Sequence, residues 1–420
     1  MRNRMTSLAL ALALTCGFSV AQQAVPLPTG VVAAPGSFVV APASITYFAK
    51  GGDTLIAIAV QFTGKADHWV QIGKNNRIDR DSNIPIGTPI FIPAELLSDD
   101  PVEATVVALS GSITARKADG IVIALAIGAK VSEGTQIDTA NNGFVTFALA
   151  DSSRVSLPSN SRVKIGKLRM ARYTKSPRTE IMLLRGRVES RVSPLEARKG
   201  LFEIRTPQSV AGVRGTHFRV GILANGVANE VLSGKVAVAK PAEGASLTLA
   251  TAKGAIVDSR TVGPMVDLLP APRLVARAGA DYATAQFAIV PVAGASAYRV
   301  QLSTDSDAID IIAENNAATP QVRLDGIPDG AYFVRISAID RAGLEGLTRI
   351  EPVRISARAD LAQRAAAGAP NVDHSNQREI GLKWQPLGGR SFVLQVARDA
   401  DFSWLVHTVR TAVPQASVPR

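Results

Sequence analysis

The sequence predicts a mainly β, multidomain protein with one small α+β unit near the N-terminus and β-sandwich modules towards the C-terminus. Three observations carry this. Short segments that alternate apolar and polar residues recur from Ala104 onward at roughly 8–12-residue spacing, as strands of sandwiches, rolls and solenoids do. The 34 glycines and 24 prolines fall in short clusters, as turns between many strands require. Sustained helical periodicity is scarce. At 420 residues the chain is too long for a single core and predicts about three domains. A hydrophobic content of 46% supports folded domains over disorder.

In chain order, residues 1–21 read as an export signal. Arg2 and Arg4 give a positive start, and Leu8 to Leu14 gives an apolar segment too short to span a bilayer. Ser19-Val20-Ala21 supplies small residues for cleavage before Gln22. Cys16 raises a lipoprotein alternative, which Ala13-Leu14-Thr15 fits poorly. Cleavage removes the single cysteine, so the mature chain forms no internal disulfide and has no thiol chemistry. No later segment is a membrane-span candidate, so the expected location is the periplasm or cell envelope. Residues 22–44, rich in Pro, Ala and Val, read as a linker.

Residues 45–97 read as strand–helix–helix–strand. Ile45 to Phe48 is a short strand, and Asp53 or Thr54 caps a helix whose apolar face carries Leu55, Ile58 and Phe62. A second helix is predicted over Asp67 to Asn75 with Trp69, Val70 and Ile72 inward, and Ile84 to Pro93 gives a turn and a closing strand. Gly52-Asp53-Thr54-Leu55, Ile58-Ala59, Asn75 or Asn76, Ile84, Gly87 and Ile92-Pro93 resemble a LysM domain. The resemblance implies binding to N-acetylglucosamine-containing glycan, chiefly peptidoglycan. The implied groove lies between Gly51, Gly52, Asp53 and Thr54 on one side and Asn83, Ile84, Pro85 and Ile86 on the other. On the plainer reading Asp53 and Thr54 only cap the helix and Ile84 only packs.

Beyond a short polar boundary, residues 104–240 read as one β domain. Predicted strands include Thr105–Leu109, Ile121–Leu125, Phe144–Phe147, Arg154–Leu157, Arg162–Ile165 and Glu180–Leu184. Phe202 to Arg205 and Thr216 to Val220 alternate as half-buried strands, with Pro207, Gly212 and Gly215 predicting a tight reversal between them. Thr206, Pro207, Val213, Arg214, Gly215, Thr216 and Phe218 resemble the T-P-x-x-x-x-x-V-R-G-T-x-F signature of FecR-type domains. The resemblance implies a compact β-solenoid-like roll. Arg214 is expected to fold back onto backbone carbonyls or a carboxylate. Leu184-x-Gly186-x-Val188 and Leu232-x-Gly234-x-Val236 share a rhythm that suggests an internal repeat.

Charge is uneven. Residues 102–240 hold 21 Lys/Arg against 10 Asp/Glu, equal to the +11 formal charge of the whole chain. The run 162–178, RVKIGKLRMARYTKSPR, has one aromatic, Tyr173. The export signal argues against nucleic acid, which leaves a solvated positive face or a contact for anionic envelope glycans or lipopolysaccharide.

Residues 241–279 read as a turn-rich connector. From 280 to 357, Ala285–Val290, Ala297–Leu302, Gly330–Ile339 and Thr348–Ile350 read as strands of a sandwich resembling a fibronectin type III module, with Tyr298 and Tyr332 in its core. Residues 370–420 resemble an incomplete second copy, pairing Phe287-x-x-x-Pro291 with Leu382-x-x-x-Pro386.

Catalytic patterns are absent from the sequence. The four histidines, His68, His217, His374 and His407, do not cluster, and His217 is expected to point from a strand into solvent. No cofactor or metal is expected. The sequence therefore predicts a non-enzymatic, peptidoglycan-binding envelope protein whose FecR-like domain serves as a scaffold or sensor for an unknown envelope protein. The alternatives are polyanion binding through the basic face and a role as accessory to a wall hydrolase.

Overall fold

The computed structural model describes residues 33–41, 43–81, 84–194, 200–213, 215–241, 246–276, 280–281, 284–328, 330–355, 371–373, 379–384, 392–397, 405–411 and 413–419. The expected signal peptide with Cys16, most of the expected linker, Asn83 and Arg214 lie outside them. The chain divides into two compact units, up to Leu96 and from Leu97.

The first unit is a three-stranded antiparallel sheet, β1 (Phe38–Ala41), β2 (Ser44–Phe48) and β3 (Pro89–Pro93), with α1 (Leu55–Thr63) and α2 (Trp69–Asn76) between the last two. β1 occupies residues expected as linker. Its register pairs Phe38 with Tyr47, and the Phe38 ring stands edge-on to Phe62 at 5.9 Å. Thr54 caps α1, accepting a 3.1 Å hydrogen bond from Ala57 N. Leu55, Ile58 and Phe62 are fully buried, as their spacing predicts. Val70 is not: it is 58% exposed, because a 3-10 turn at Ala66–His68 rotates α2 so that Ile72 and Gly73 face inward. Asn76 locks α2 to the sheet. Its Nδ2 donates to Ile72 O and Phe91 O at 2.8 and 2.7 Å, and its Oδ1 accepts from Phe91 N at 2.7 Å.

The second unit opens with β4 (Asp99–Pro101), β5 (Ala104–Ser110), β6 (Ile113–Arg116), β7 (Val122–Ile123), β8 (Lys130–Val131) and β9 (Gln136–Thr139). It continues through β10 (Phe144–Ala148), β11 (Arg154–Leu157), β12 (Arg162–Ala171), β13 (Pro177–Arg185), β14 (Arg187–Arg191), β15 (Leu201–Arg205) and β16 (Val210–Val213). β17 (His217–Leu223), β18 (Gly226–Ser233), β19 (Lys235–Ala239), β20 (Ser246–Ala250), β21 (Lys253–Val257) and β22 (Val266–Asp267) complete two open sheets. The nine-stranded sheet runs β22-β21-β18-β17-β14-β11-β10-β5-β8, and the ten-stranded sheet runs β20-β19-β16-β15-β13-β12-β9-β6-β7, with β4 beside β12. The chain alternates between them while advancing along both. One core fills the space between, with Phe147, Leu157, Leu183, Phe202, Ile204, Phe218 and Val231 all buried. β20 to β22 belong to these sheets although their residues read as connector. Leu249, Ala255 and Val257 are fully buried, and turn-rich flanks hid their short alternation. Of the predicted strand Ile121–Leu125, only Val122–Ile123 pairs.

The repeated L-x-G-x-V rhythm has a structural meaning. Gly186 and Gly234 sit where the chain leaves one sheet for the other, at φ +74° and +90°. Leu109-x-Gly111-x-Ile113 is a third instance, with Gly111 at φ +69° between β5 and β6. A left-handed residue turns the strand through the corner, and glycine takes that conformation without a Cβ clash.

The chain then builds a two-sheet sandwich. β23 (Leu274–Ala276), β24 (Ala280–Asp281), β25 (Thr284–Ile289) and β28 (Gln321–Asp325) form one sheet. β26 (Ala295–Ser303), β27 (Ile311–Ala317), β29 (Gly330–Asp340) and β30 (Arg349–Ile355) form the other, in the order β27-β26-β29-β30. Phe287, Tyr298, Val300, Leu302, Val334 and Ile336 fill the core, and Tyr332 packs partly buried against it. Within residues 371–419 the described strands form one sheet of three and one of two. Among the described residues no sheet closes into a barrel, and no helix is long and apolar enough to cross a membrane.

Candidate functional site

In the first unit, backbone hydrogen bonds bring the two sequence-predicted loops together. Ala49 N donates to Thr88 O at 3.0 Å, and Gly87 N donates to Ala49 O at 2.7 Å. A Cβ built on Gly51 would lie 3.6 Å from Ile86 Cδ1, so the loops touch. Gly51, Gly52, Pro85 and Ile86 are exposed, Ile86 at 67%. Asp53 works inward: its Oδ2 accepts from Tyr47 Oη at 2.7 Å and Lys50 N at 2.8 Å. Burial and this carboxylate push the Tyr47 phenol up to about 12, so it stays protonated and donating. Thr54 is the helix cap and Ile84, 8% exposed, packs. Sequence reading missed Asp81, which pins the second loop to the start of α1. Its Oδ1 accepts from Ile56 N at 2.7 Å and its carbonyl from Leu55 N at 2.9 Å. Among the described residues, the exposed part of the two loops is Gly51, Gly52, Pro85 and Ile86.

The FecR-like signature is placed as core and corner. β15 and β17, expected to meet across one reversal, belong to different sheets, and two turns separate them. In the first, Thr206 N donates to Ser209 O at 2.8 Å, closing a hairpin in which β15 pairs with β16. Pro207, exposed, occupies its tip. In the second, Gly215 at φ +61° turns the chain towards β17, where a Cβ would meet Pro194 Cα at 3.0 Å. Thr216 Oγ1 donates to Lys235 O at 2.9 Å, and Phe218 stacks edge-on to Phe202 at 6.1 Å. Val213, 6% exposed, joins this core.

The basic run is largely neutralised on its own sheet. Arg169 pairs with Glu133 at 2.8 Å and Asp99 at 3.3 Å, Arg172 with Asp100 at 2.6 Å, and Arg178 with Asp99 at 2.6 Å. Arg162 pairs with Asp138. Such exposed pairs contribute little stability, but they leave a mixed face rather than a positive one.

Among the described residues the largest polar constellation lies elsewhere, between the outer face of the nine-stranded sheet and the sandwich sheet that contains β26 and β29. Along β14, β17 and β18 alternate side chains Arg187, Glu189, His217, Arg219 and Glu230 turn away from the core. Arg299, Gln301, Arg335 and Ser337 turn outward from the sandwich to meet them. Glu345 is the hub, at 1% exposure. Its carboxylate accepts from Arg219 at 2.8 Å, Arg187 and Arg299 at 3.0 Å, and Ser337 at 2.7 Å. Arg219, also 1% exposed, donates to Glu230 at 2.8 Å and to the Glu345 and Gly346 carbonyls at 2.5 and 2.7 Å. Arg335 donates to Glu189 at 2.6 Å, and the other Glu189 oxygen lies 2.6 Å from His217 Nε2. His217 is thus 21% exposed and bound, not solvent-facing as expected. Two small apolar clusters flank the charges: Phe144 with Ala308 and Ile311, and Ala228 with Leu268 and Leu344. A cavity of about 30 Å³ opens beside Leu157, Ile309 and Arg335, a volume suited to solvent rather than a metabolite.

Burial pushes the Glu345 and Glu189 carboxyls up, but the arginines around them win. Arg219, Arg299 and Arg187 hold Glu345 below the usual 4.5, and Arg335 with His217 holds Glu189 well below it. Depressed folded-state values add stability that is fully present above the unfolded value and is lost as pH falls through the folded one. Urea midpoints at pH 7 and 5 should therefore agree for these groups, and the midpoint at pH 3 should be lower. An equal midpoint at pH 3 would mean the seam contributes nothing through its carboxylates.

Residues 135–237 match a family profile described as FecR protein. The match covers β9 to β19, including Glu189, Arg219 and Glu230, but not Arg299, Arg335 or Glu345. A protein described as an anti-sigma factor from Parabacteroides distasonis aligns at 21% identity and TM-score 0.25, over 31% of this chain and 57% of its own. The chain therefore spans a little over half the length of that protein. The fn3 domain of human collagen alpha-1(XX) chain aligns at 30% identity and TM-score 0.18, over 23% of this chain and 89% of its own. No curated protein matches the chain.

Proposed function

We propose that this is a non-enzymatic envelope protein. Its first unit binds N-acetylglucosamine-containing glycan in the manner of a LysM domain, and its second unit presents a FecR-like surface to an envelope protein. The observation that carries the glycan reading is the Gly51-Gly52 loop lying against Ile86 with both loops exposed. Exposed backbone donors and acceptors suit acetamido groups, and an aliphatic side chain suits a sugar's apolar face. Binding sites of this kind favour loops held by a rigid scaffold. One such site binds weakly, so firm attachment needs several copies or a second contact. The sandwich at 280–357 is read as fibronectin type III-like and as the rigid support of the FecR-like sheets.

The test is co-sedimentation with insoluble peptidoglycan, comparing the full chain, the Ile86→Asp variant and a chain lacking residues 45–94. Binding by the full chain, weakened by Ile86→Asp and lost on deletion, supports the reading. Binding that survives deletion moves the activity to the second unit and favours polyanion recognition. Clearing of the wall suspension by the pure protein overturns the non-enzymatic part.

A further inference from the structure

The end of the two large sheets formed by β7 and β8 carries a feature that the reading above does not use. Ile121-Val-Ile-Ala-Leu-Ala-Ile127 is an unbroken run of seven apolar residues. Ile123 and Leu125 turn inward against the core. Val122, Ala124 and Ala126 take the opposite face and are exposed, Val122 at 56%, and Ile121 and Ile127 at the two ends of the run are 59% and 63% exposed. Single exposed aliphatics are ordinary on a soluble surface, but a contiguous set at one edge marks a contact. Arg116, Lys117 and Lys130 flank the run and are exposed. Arg116 donates to Gly120 O at 3.0 Å and Lys130 to Thr105 Oγ1 at 2.7 Å. Unlike the arginines of the 162–178 run, none of the three forms an ion pair among the described residues. Asp119 is the single acid between Arg116 and Lys130, and its carboxylate is turned back to accept from Ile121 N at 3.0 Å.

We propose that this edge is a membrane-contact surface, inserting Ile121, Val122 and Ile127 into the interfacial layer of an anionic bilayer while Arg116, Lys117 and Lys130 meet headgroup phosphates. A lipid surface offers the two required layers in the right order, anionic outside and apolar beneath. A second copy of this chain fits less well. A two-fold contact through the same edge sets the three cations against their own counterparts, and β7, two residues long, provides little backbone for strand pairing. Sugars fit less well still, because none of the seven side chains of the run can hydrogen-bond a hydroxyl or acetamido group.

The test is flotation of the full chain with vesicles of phosphatidylcholine alone and of phosphatidylcholine containing about one third phosphatidylglycerol, at moderate salt. Binding to the anionic vesicles and little to the neutral ones is expected. Ile121→Ser/Val122→Ser/Ile127→Ser should lower the partition by roughly tenfold or more, because the inserted apolar area is lost. Lys117→Glu/Lys130→Glu should abolish the preference for anionic lipid. All five side chains are exposed, so unchanged melting shows that the variants fold. Three results overturn the proposal: no wild-type binding to either vesicle, binding indifferent to both variants, or a self-association that the serine variant removes without any vesicle binding. No peptidoglycan is present in the assay, so its outcome is separate from that of the glycan reading.

Discussion

Glu345→Ala should destabilise the second unit by about 3–5 kcal/mol, the loss expected when one partner of a buried ion cluster is removed. The size follows from what stays behind. Arg219 and Arg299, 1% and 7% exposed, keep their charges after the carboxylate is gone. Glu230 and Glu314 remain for them, but Arg187 and Arg219 then share Glu230, and Ser337 loses its acceptor. Burial opposes the charged form of Arg219, and in the native protein Glu345 and Glu230 more than offset it. Chemical unfolding of the full chain measures the effect. A change within about 1 kcal/mol, the size typical of exposed ion pairs, would show that the arginines re-pair or reach water. Replacing the whole cluster with apolar residues of similar volume would be far milder, since desolvation of the charges already consumes most of their attraction.

Gly111→Ala should cost roughly 3–5 kcal/mol, at the upper end for a single substitution. A Cβ there would sit 1.8 Å from Asn142 O and 2.7 Å from Asn142 C, both backbone atoms, with φ at +69°. No side-chain rotation relieves such a contact, so the corner between β5 and β6 must open, next to the turn that starts β10. Gly128→Ala provides the control. It has φ +86° but nothing within 4 Å of the new Cβ, so only the left-handed strain of about 1 kcal/mol applies. Equal melting temperatures for the two variants would remove steric crowding as the reason for glycine at this corner.

The two substitutions bracket what could be read in advance. Corner glycines leave a trace in sequence: the rhythm around Gly186 and Gly234 was visible, and Gly111 matches it with isoleucine in place of valine. The trace did not say that each marks a passage between sheets, because periodicity reports which face a residue takes and not which sheet it joins. For the same reason β15 and β17 read as one hairpin. Their alternation is genuine, yet partners are chosen by register within the two large sheets. The first unit was more legible, since its signals are local. Thr54 caps the residues next to it, and Leu55, Ile58 and Phe62 follow the helical period. Val70 failed because a 3-10 turn of three residues shifts the phase of the following helix, and no local preference announces it. Asp81 failed because its hydrogen bonds reach 25 residues back in the chain.

Sequence alone determined that this protein is built from short strands, which residues of the strands it marks face a core, and that a family signature occupies 206–218. Those properties depend on neighbours within a few residues. Tertiary structure alone decided the fate of the opposite faces. Arg187, Glu189, His217, Arg219 and Glu230 alternate with apolar residues as any solvated strand face does, and so do Arg299 and Arg335 in the sandwich. The same charged pattern suits water or an oppositely charged sheet, and only the pairing of two distant segments around Glu345 selects the second. Conversely, Ile121 to Leu125 reads as one strand among the others, but the two large sheets end at β7 and β8, and among the described residues no further strand pairs beyond them. Local alternation sets the two faces of a strand; which face meets water depends on whatever packs against it.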